Sequence, residues 1–515
     1  MLALGHTTEL AVFLGFFAAV TVLGFVASQW RAGKHTSVAD WGLGGRQFGT
    51  LVTWFLIGGD FYTAYTIIAV PALVYGVGAA GFFALPYTTL VYPFVFLAMP
   101  RFWSVCQRHG LVTSADFVRI RYGSHWLATA VAVTGIVAVM PYIALQLVGM
   151  QVVLVQMGIA GSSTLMRDLP VTIAFLILAI YTYSAGLRAP ALIAFVKDIM
   201  IYIVVIAAIL VLPLRYGGYA HIFRAAGVHY ATQHGAASLI LPPAGFSAYA
   251  TLALGSALAA FMYPHTATSI LASASGRVIR RNAVLLPVYT FLLGLIALLG
   301  IIAAAAGLQV TDKNQVVPAL LAQTFPRWFV GFCFAGIAIA ALVPAAIMSI
   351  AAANLFTRNI FLEYMQPAAS EAKQAQVARL CSLFVKFGAL SFVLFLPAQE
   401  AIDMQLLGSV WILQTFPAIA LGLWGRWFHD RALLAGWAAG MTFGTYLSYL
   451  QRMKSSVFPV HLPGFSGEIY IGVLALGLNL AVSFLLTISL DLLRVRRRSD
   501  QTVSADYLAL DKDVV

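Results

Sequence analysis

Thirteen long apolar stretches dominate the chain, at roughly 8–28, 51–76, 79–100, 126–157, 169–187, 191–213, 246–272, 284–307, 328–357, 376–397, 401–424, 432–450 and 469–491. About 20 apolar residues cross the hydrocarbon of a bilayer, so each stretch predicts a transmembrane helix. The expected fold class is an all-α integral membrane protein with thirteen transmembrane helices. Only four strongly charged side chains, Asp60, Lys197, Asp198 and Lys386, lie well inside these stretches. A charge at a helix centre costs at least about 2.5 to 3.5 kcal/mol, so a residue kept there usually has work to do.

Helix breakers interrupt two of the stretches in mid-membrane. The second contains Gly58-Gly59-Asp60 and then Pro71, and the seventh contains Gly255 and then Pro264-His265. Stretches two to six and seven to eleven form two sets of five, each opened by an interrupted member, and an odd set size inverts the second set. Paired broken helices at matching places predict a secondary transporter with its pocket at the midplane. The expected divisions are a first helix and loop at 1–50, a five-helix repeat at 51–213 and a loop at 214–245. A second five-helix repeat at 246–424, two peripheral helices at 425–498 and a tail at 499–515 complete the chain.

Composition agrees with a membrane protein: 61% of residues are hydrophobic and 9% charged, with a mean hydropathy of +0.90. The net charge of +12 would suit nucleic acid, but its distribution argues otherwise. Of the 30 Lys and Arg residues, 22 fall on the side of the carboxyl terminus, counting Lys197 at the border, and 7 on the other side. The positive-inside bias then puts the carboxyl terminus in the cytoplasm and the amino terminus outside. No basic region precedes the first stretch, which carries Glu9, so it is expected to remain as a helix and not to be cleaved as a signal. Cys106, Cys333 and Cys381 sit in a predicted loop or inside spans, where packing is their expected role. The connections at 214–245 and 308–327 are too short for an independent domain. Function is therefore expected inside the bundle.

Several strings bear a family resemblance. Asp40-Trp-Gly-Leu-Gly-Gly-Arg46 with Phe48-Gly49 resembles the loop after the first helix of the sodium:solute symporter family. Arg108-His-Gly-Leu-Val-Thr-Ser-Ala-Asp-Phe117, followed by Arg119, Arg121, Tyr122 and Gly123, is similar to its next cytoplasmic loop. Tyr142-Ile-Ala-Leu-Gln146, Gly186-Leu-Arg-Ala189 with Asp198, and Phe356-Thr-Arg-Asn-Ile360 continue in order over roughly 38 to 425. The resemblance implies a core of the LeuT type, an inverted five-plus-five repeat that moves a small solute with a coupling cation. The Asp60 region, Lys197-Asp198 and the Ala-Leu-Val-Pro-Ala-Ala-Ile-Met-Ser stretch are most similar to the bacterial monocarboxylate permease branch, which takes up lactate, pyruvate and related acids.

Candidate substrate contacts come from the two breaks: Gly58, Gly59, Tyr62 and Thr63 on one side, and Tyr263, His265, Thr266 and Thr268 on the other. Half-helix amino termini favour anions, which fits a carboxylate. Gln146 and Lys386 are further candidates, Lys386 as a counter-charge. Asp60, Lys197, Asp198 and Ser349 are the cation-coupling candidates, with H+ or Na+ as the coupling ion and no other cofactor expected. Lys197 and Asp198 are about 100° apart around a helix and are not expected to pair neatly with each other. Sodium-coupled relatives supply two adjacent hydroxyls from the ninth span, and the ungapped placement here gives Val343 and Pro344. Some proton-coupled transporters of this fold put a lysine ammonium where sodium would sit, on the helix that carries Lys197.

Each candidate also has a structural reading. Asp60 can be a hydrogen-bonded hinge, Lys197 can snorkel, Lys386 can pair away from the pocket, Gln146 can join helices and His265 can pack. A sodium-coupled symporter for an amino acid or other polar solute is the near alternative, and a channel the distant one. An enzyme is not expected, since no zinc, nucleophile-elbow or phosphate-loop motif is present. The expected partners are a small carboxylate and the lipid bilayer of a bacterial inner membrane, with no nucleic acid and no obligate protein.

Overall fold

The computed structural model describes residues 7–27, 37–60, 62–159, 164–232, 238–395 and 401–508. Residue 28 of the first predicted span, 396–397 of the tenth and 509–515 of the tail lie outside that set. Helix α1 (Thr7–Val26) is followed by α2 (Val38–Gly42) and a short turn. The second predicted span is split: α3 (Thr50–Gly59) stops at Asp60, a π-helical turn covers Tyr65–Ala69, and α4 (Val70–Val77) completes it. Then come α5 (Ala84–Arg108), α6 (Ser114–Tyr122), α7 (His125–Gln156), α8 (Thr164–Ala185) and α9 (Arg188–Arg215). A helix absent from the sequence reading, α10 (Tyr219–Thr232), occupies the following loop.

The seventh predicted span is split as well. α11 (Phe246–Ala260) and α12 (Pro264–Leu271) meet at a bend of 46°. Pro264 opens α12 and brings no N–H for a bond to the preceding turn. The chain continues through α13 (Gly276–Leu285), α14 (Pro287–Ala305), α15 (Val316–Thr324) and α16 (Arg327–Phe356). α16 stays continuous through Pro344 and is buried along nearly all its length. It runs into a π-helical turn over Thr357–Met365. α17 (Glu371–Phe395), α18 (Ala401–Ile412), α19 (Phe416–Ile419), α20 (Asp430–Leu450) and α21 (Ile471–Leu492) follow.

Eight helices among the described residues are long and apolar enough to cross a membrane, nine if α11 and α12 form one span. Helices also occupy the other four predicted stretches, at 50–77, 164–185, 371–395 and 430–450, without meeting that measure. Among the described residues the strands depart from all-α in one hairpin. Strands β1 (Val457–Leu462) and β2 (Phe465–Tyr470) form an antiparallel hairpin before α21. It is anchored on α11 and α18, where the Tyr470 backbone N–H donates to Thr251 Oγ1 and the Tyr470 hydroxyl donates to the Leu406 carbonyl.

At the face that carries the carboxyl-terminal tail, Thr113 and Asp116 form a capping box that starts α6. Asp116 also accepts from Asn359 at 2.9 Å, which ties α6 to the end of α16. Residues 500–507 fold back over this face. Arg121 reaches Asp500 at 2.8 Å, and His109 Nε2 meets Asp506 Oδ2 at 2.9 Å.

Candidate functional site

The first break leaves backbone oxygens without helical partners, and a side chain from α9 meets them. Lys197 Nζ donates to the carbonyls of Gly59 at 2.8 Å and Tyr62 at 2.9 Å. Lys197 is fully buried, so it does not snorkel. At 1.5 Å rise per residue it lies about 14 Å along α9 from Arg188.

Lys197 and its neighbour Asp198, not expected to pair neatly, come close without forming a hydrogen bond. Lys197 Nζ is 3.1 Å from Asp198 Oδ1, because the long lysine stem curls back over the helix surface. The angle is too poor for a hydrogen bond, and Asp198 Oδ1 takes none. Asp198 Oδ2 instead accepts from the Tyr289 hydroxyl of α14 at 2.7 Å. The Tyr289 ring packs at a tilt against Tyr62, with centroids 4.5 Å apart.

The two glycines of the break make room for this cluster. A Cβ on Gly58 would fall 1.9 Å from the Tyr289 ring, and one on Gly59 would fall 3.0 Å from Lys197 Nζ. Both are candidate substrate contacts, and a Cβ on either would meet the charged cluster.

The second break brings a different set to Asp60. Ser269 of α12 donates to Asp60 Oδ2 at 3.0 Å, while Oδ1 is buried with no hydrogen-bond partner. A cavity of about 20 Å³ adjoins it, lined by Asp60, Tyr87, Tyr142, Tyr263, His265, Thr266 and Gln405 together with Ala260. That is room for a water, so a larger solute needs the side chains to move apart. His265 Nδ1 and Gln405 Oε1 are also buried and unpartnered. Three polar atoms on the residues lining one cavity thus have no protein partner, where buried polar atoms are nearly always bonded.

Tyr263 closes this space toward α18: its hydroxyl donates to the Gln405 carbonyl at 3.1 Å and lies 3.2 Å from Ser409 Oγ. Thr266 bonds back to the carbonyls of Ala260 and Tyr263 across the bend. Of the other sequence candidates, Thr63 caps the π-helical turn by accepting from Tyr65 N. Gln146 Oε1 accepts from Ala64 N at 3.0 Å, so it holds the first break from α7. Thr268 lines a smaller cavity nearer the tail face with Val112, Thr113, Ala351 and Leu355. Ser349 donates to Ala346 O within α16. Lys386 is buried, points to the Ser382 carbonyl of its own helix at 3.4 Å and is not among the residues that line the Asp60 cavity.

Tyr87, Gln405, Ser269 and Tyr289 are absent from the sequence candidates. Ser269 had a signal, since it lies one helical turn after His265 on the interrupted span. Tyr142 stood in a family string without being assigned a role. Nothing in the sequence separated Tyr87, Gln405 or Tyr289 from lipid-facing and packing residues.

Comparison with known proteins adds independent findings. The profile of the sodium:solute symporter family matches residues 41–444. A "Monocarboxylate transport permease protein" of Rhizobium johnstonii (strain DSM 114642 / LMG 32736 / 3841) is 57% identical over 480 residues, covering 92% of this chain and 96% of that one. The "Uncharacterized symporter YodF" of Bacillus subtilis (strain 168) is 33% identical over 88% of this chain and 90% of its own length. Among solved structures, a Na+-coupled sialic acid symporter in a substrate-bound outward-open state shares the fold. Its TM-score is 0.73 at 13% identity, over 94% of this chain and 98% of that chain.

Proposed function

The chain belongs to the sodium:solute symporter family, and from that premise we propose that it imports short monocarboxylates such as lactate or pyruvate together with protons. It is a membrane transporter that works by symport, not an enzyme. In our reading thirteen spans cross a bacterial inner membrane with the amino terminus outside and the carboxyl terminus in the cytoplasm. Residues 51–213 and 246–424 form the inverted halves, 425–498 the peripheral helices and 499–515 the tail.

The observation that carries proton coupling is the Lys197 ammonium on the carbonyls of Gly59 and Tyr62. A bound cation can stabilise an unwound helix by satisfying freed carbonyls. Here a covalently attached cation does so, and its charge depends on a proton. The family resemblance, placed without gaps, puts Val343 and Pro344 where sodium-coupled relatives carry hydroxyls, which would leave fewer hard oxygens for a free ion. Protonated Lys197 would hold the first break in shape, and loss of the proton would release it.

The substrate reading joins two supports: the permease name of the 57% identical relative and the chemistry of the cavity. The amino terminus of α12 adjoins the Asp60 cavity through His265 and Thr266, and its dipole favours a carboxylate there. His265 and Gln405 offer hydrogen bonds to fix its orientation. Movement of Tyr263 away from Gln405 and Ser409 would open the space to a three-carbon acid.

A sodium-coupled symporter for another small polar solute is the second reading. The orphan Asp60 Oδ1 favours it, since a buried carboxylate oxygen is a hard ligand. Uptake of radiolabelled lactate by proteoliposomes, with proton and sodium gradients imposed separately, tests the choice. Proton coupling predicts accumulation in sodium-free buffer driven by an inward proton gradient. Strict dependence on sodium would defeat it.

A further inference from the structure

Tyr289 lies on α14, outside both breaks, yet it reaches the charged cluster at the first of them. We propose that Tyr289 is a positioning residue for coupling: it fixes Asp198 as the group that takes the proton from Lys197. This rests on the proton-coupled reading given above.

Lys197 Nζ has two kinds of acceptor. The Gly59 and Tyr62 carbonyls lie at 2.8 and 2.9 Å and are aligned for hydrogen bonds. Asp198 Oδ1 lies at 3.1 Å and is not. A small rotation of the lysine head exchanges one for the other. When it turns, an N–H bond of the ammonium breaks and an O–H bond forms on Asp198. Lys197 becomes a neutral amine, Asp198 a neutral acid, and the carbonyls of the break lose their cation. The proton then leaves Asp198 for water once that side of the bundle opens.

For this transfer Oδ1 must face the amine, and Tyr289 decides that. Its hydroxyl donates to Oδ2 at 2.7 Å, which anchors the carboxylate and leaves Oδ1 as the oxygen 3.1 Å from Nζ. Gly58 completes the device, because any Cβ there would overlap the Tyr289 ring at 1.9 Å. The tyrosine is thus seated by the same break whose carbonyls it helps to discharge.

Reconstituted full-length protein carrying Tyr289→Phe tests the role with radiolabelled lactate in two assays. Accumulation driven by a proton gradient requires proton release in every cycle. Exchange between labelled and unlabelled lactate moves the loaded carrier back and forth and requires none. Loss of one hydrogen bond to a charged group predicts a fall in accumulation of about tenfold or more, with exchange within about twofold of wild type. Asp198→Asn reads the pair from the other side and should show the same split.

Unchanged accumulation in Tyr289→Phe, or equal loss of both activities in folded protein, would overturn the assignment. Failure of both variants to fold would make the pair structural and overturn it too. A wild type driven by sodium alone removes the proton reading and this inference together. A proton-driven wild type whose Tyr289→Phe variant still accumulates removes this inference only.

Discussion

The Lys197 ammonium lies 2.8 Å from the carbonyl oxygen of Gly59, the residue that ends the first half of a broken helix. Lysine buried without a carboxylate facing it squarely is costly, and carbonyls left open by an unwound turn are costly too. Each offsets the other. Lys197→Gln keeps a donor of similar reach but removes the charge. Proton-driven lactate accumulation is expected to fall at least about tenfold, the value of one charge-assisted hydrogen bond. Initial uptake rates at equal amounts of folded protein check this.

Gly58 and Gly59 look equivalent in sequence but meet different neighbours. Gly58→Ala places a methyl 1.9 Å from an aromatic ring held at its far end by Asp198, whereas Gly59→Ala meets the flexible end of Lys197 at 3.0 Å. Overpacking a rigid site costs about 1–3 kcal/mol. Gly58→Ala is therefore expected to lower the melting temperature in detergent measurably. Gly59→Ala should stay near wild type in stability while losing part of its proton-driven uptake. Equal melting temperatures for the two variants would contradict this placement.

Ser269 supplies the hydrogen bond that Asp60 Oδ2 receives from the second broken span. Ser269→Ala removes it without adding bulk and leaves both oxygens of a buried carboxylate unmet. The two breaks then lose their direct polar link. Uptake is expected to fall about tenfold, and Ser269→Thr, which keeps the hydroxyl, should recover most of it. Concentration dependence of initial uptake measures both variants.

The contrast between these sites shows what the sequence could carry. Apolar length exposed the long helices, and Gly58-Gly59 and Pro264 exposed the breaks, because backbone rules act locally. The charged residues were legible for the same reason: Asp60, Lys197 and Asp198 stand out in an apolar background. Their partners did not stand out. Tyr289 is one of 21 tyrosines, and only the packing of α14 against the first break selects it. The close approach of Lys197 to Asp198 was not legible, because helix geometry fixes Cβ directions and says nothing of how far a four-carbon stem can curl. Lys386 stood out equally, yet its ammonium turns to its own helix at Ser382. The hairpin at 457–470 and helix α10 escaped notice because their short amphipathic runs carry no span-length signal.

The carboxyl-terminal tail offers a prediction outside the membrane. Burial pushes the Asp506 carboxyl up, but the hydrogen bonds from His109 and from the Val503 backbone, with the charges of His109 and Arg108, hold it below the usual carboxylate range. Tyr507 lies beneath Arg101 and Arg121, at 5.7 and 5.1 Å from its ring centre, and Gln501 N bonds to Ile120 O at 3.0 Å. A carboxyl whose bound-state value is depressed adds docking stability above its ordinary value of about 4. That contribution shrinks as pH falls through the ordinary range and is gone below the depressed value. Residues 499–508 are therefore expected to be protected from amide exchange at pH 7 and to lose protection below about pH 4. Asp506→Asn should expose them already at pH 7, since an amide keeps the size but not the charge that His109 and Arg108 meet. Arg121→Gln, which removes the 2.8 Å contact to Asp500, should act in the same direction. Equal protection in wild type and Asp506→Asn at pH 7 would mean that the Tyr507 contacts hold the tail without the carboxylate.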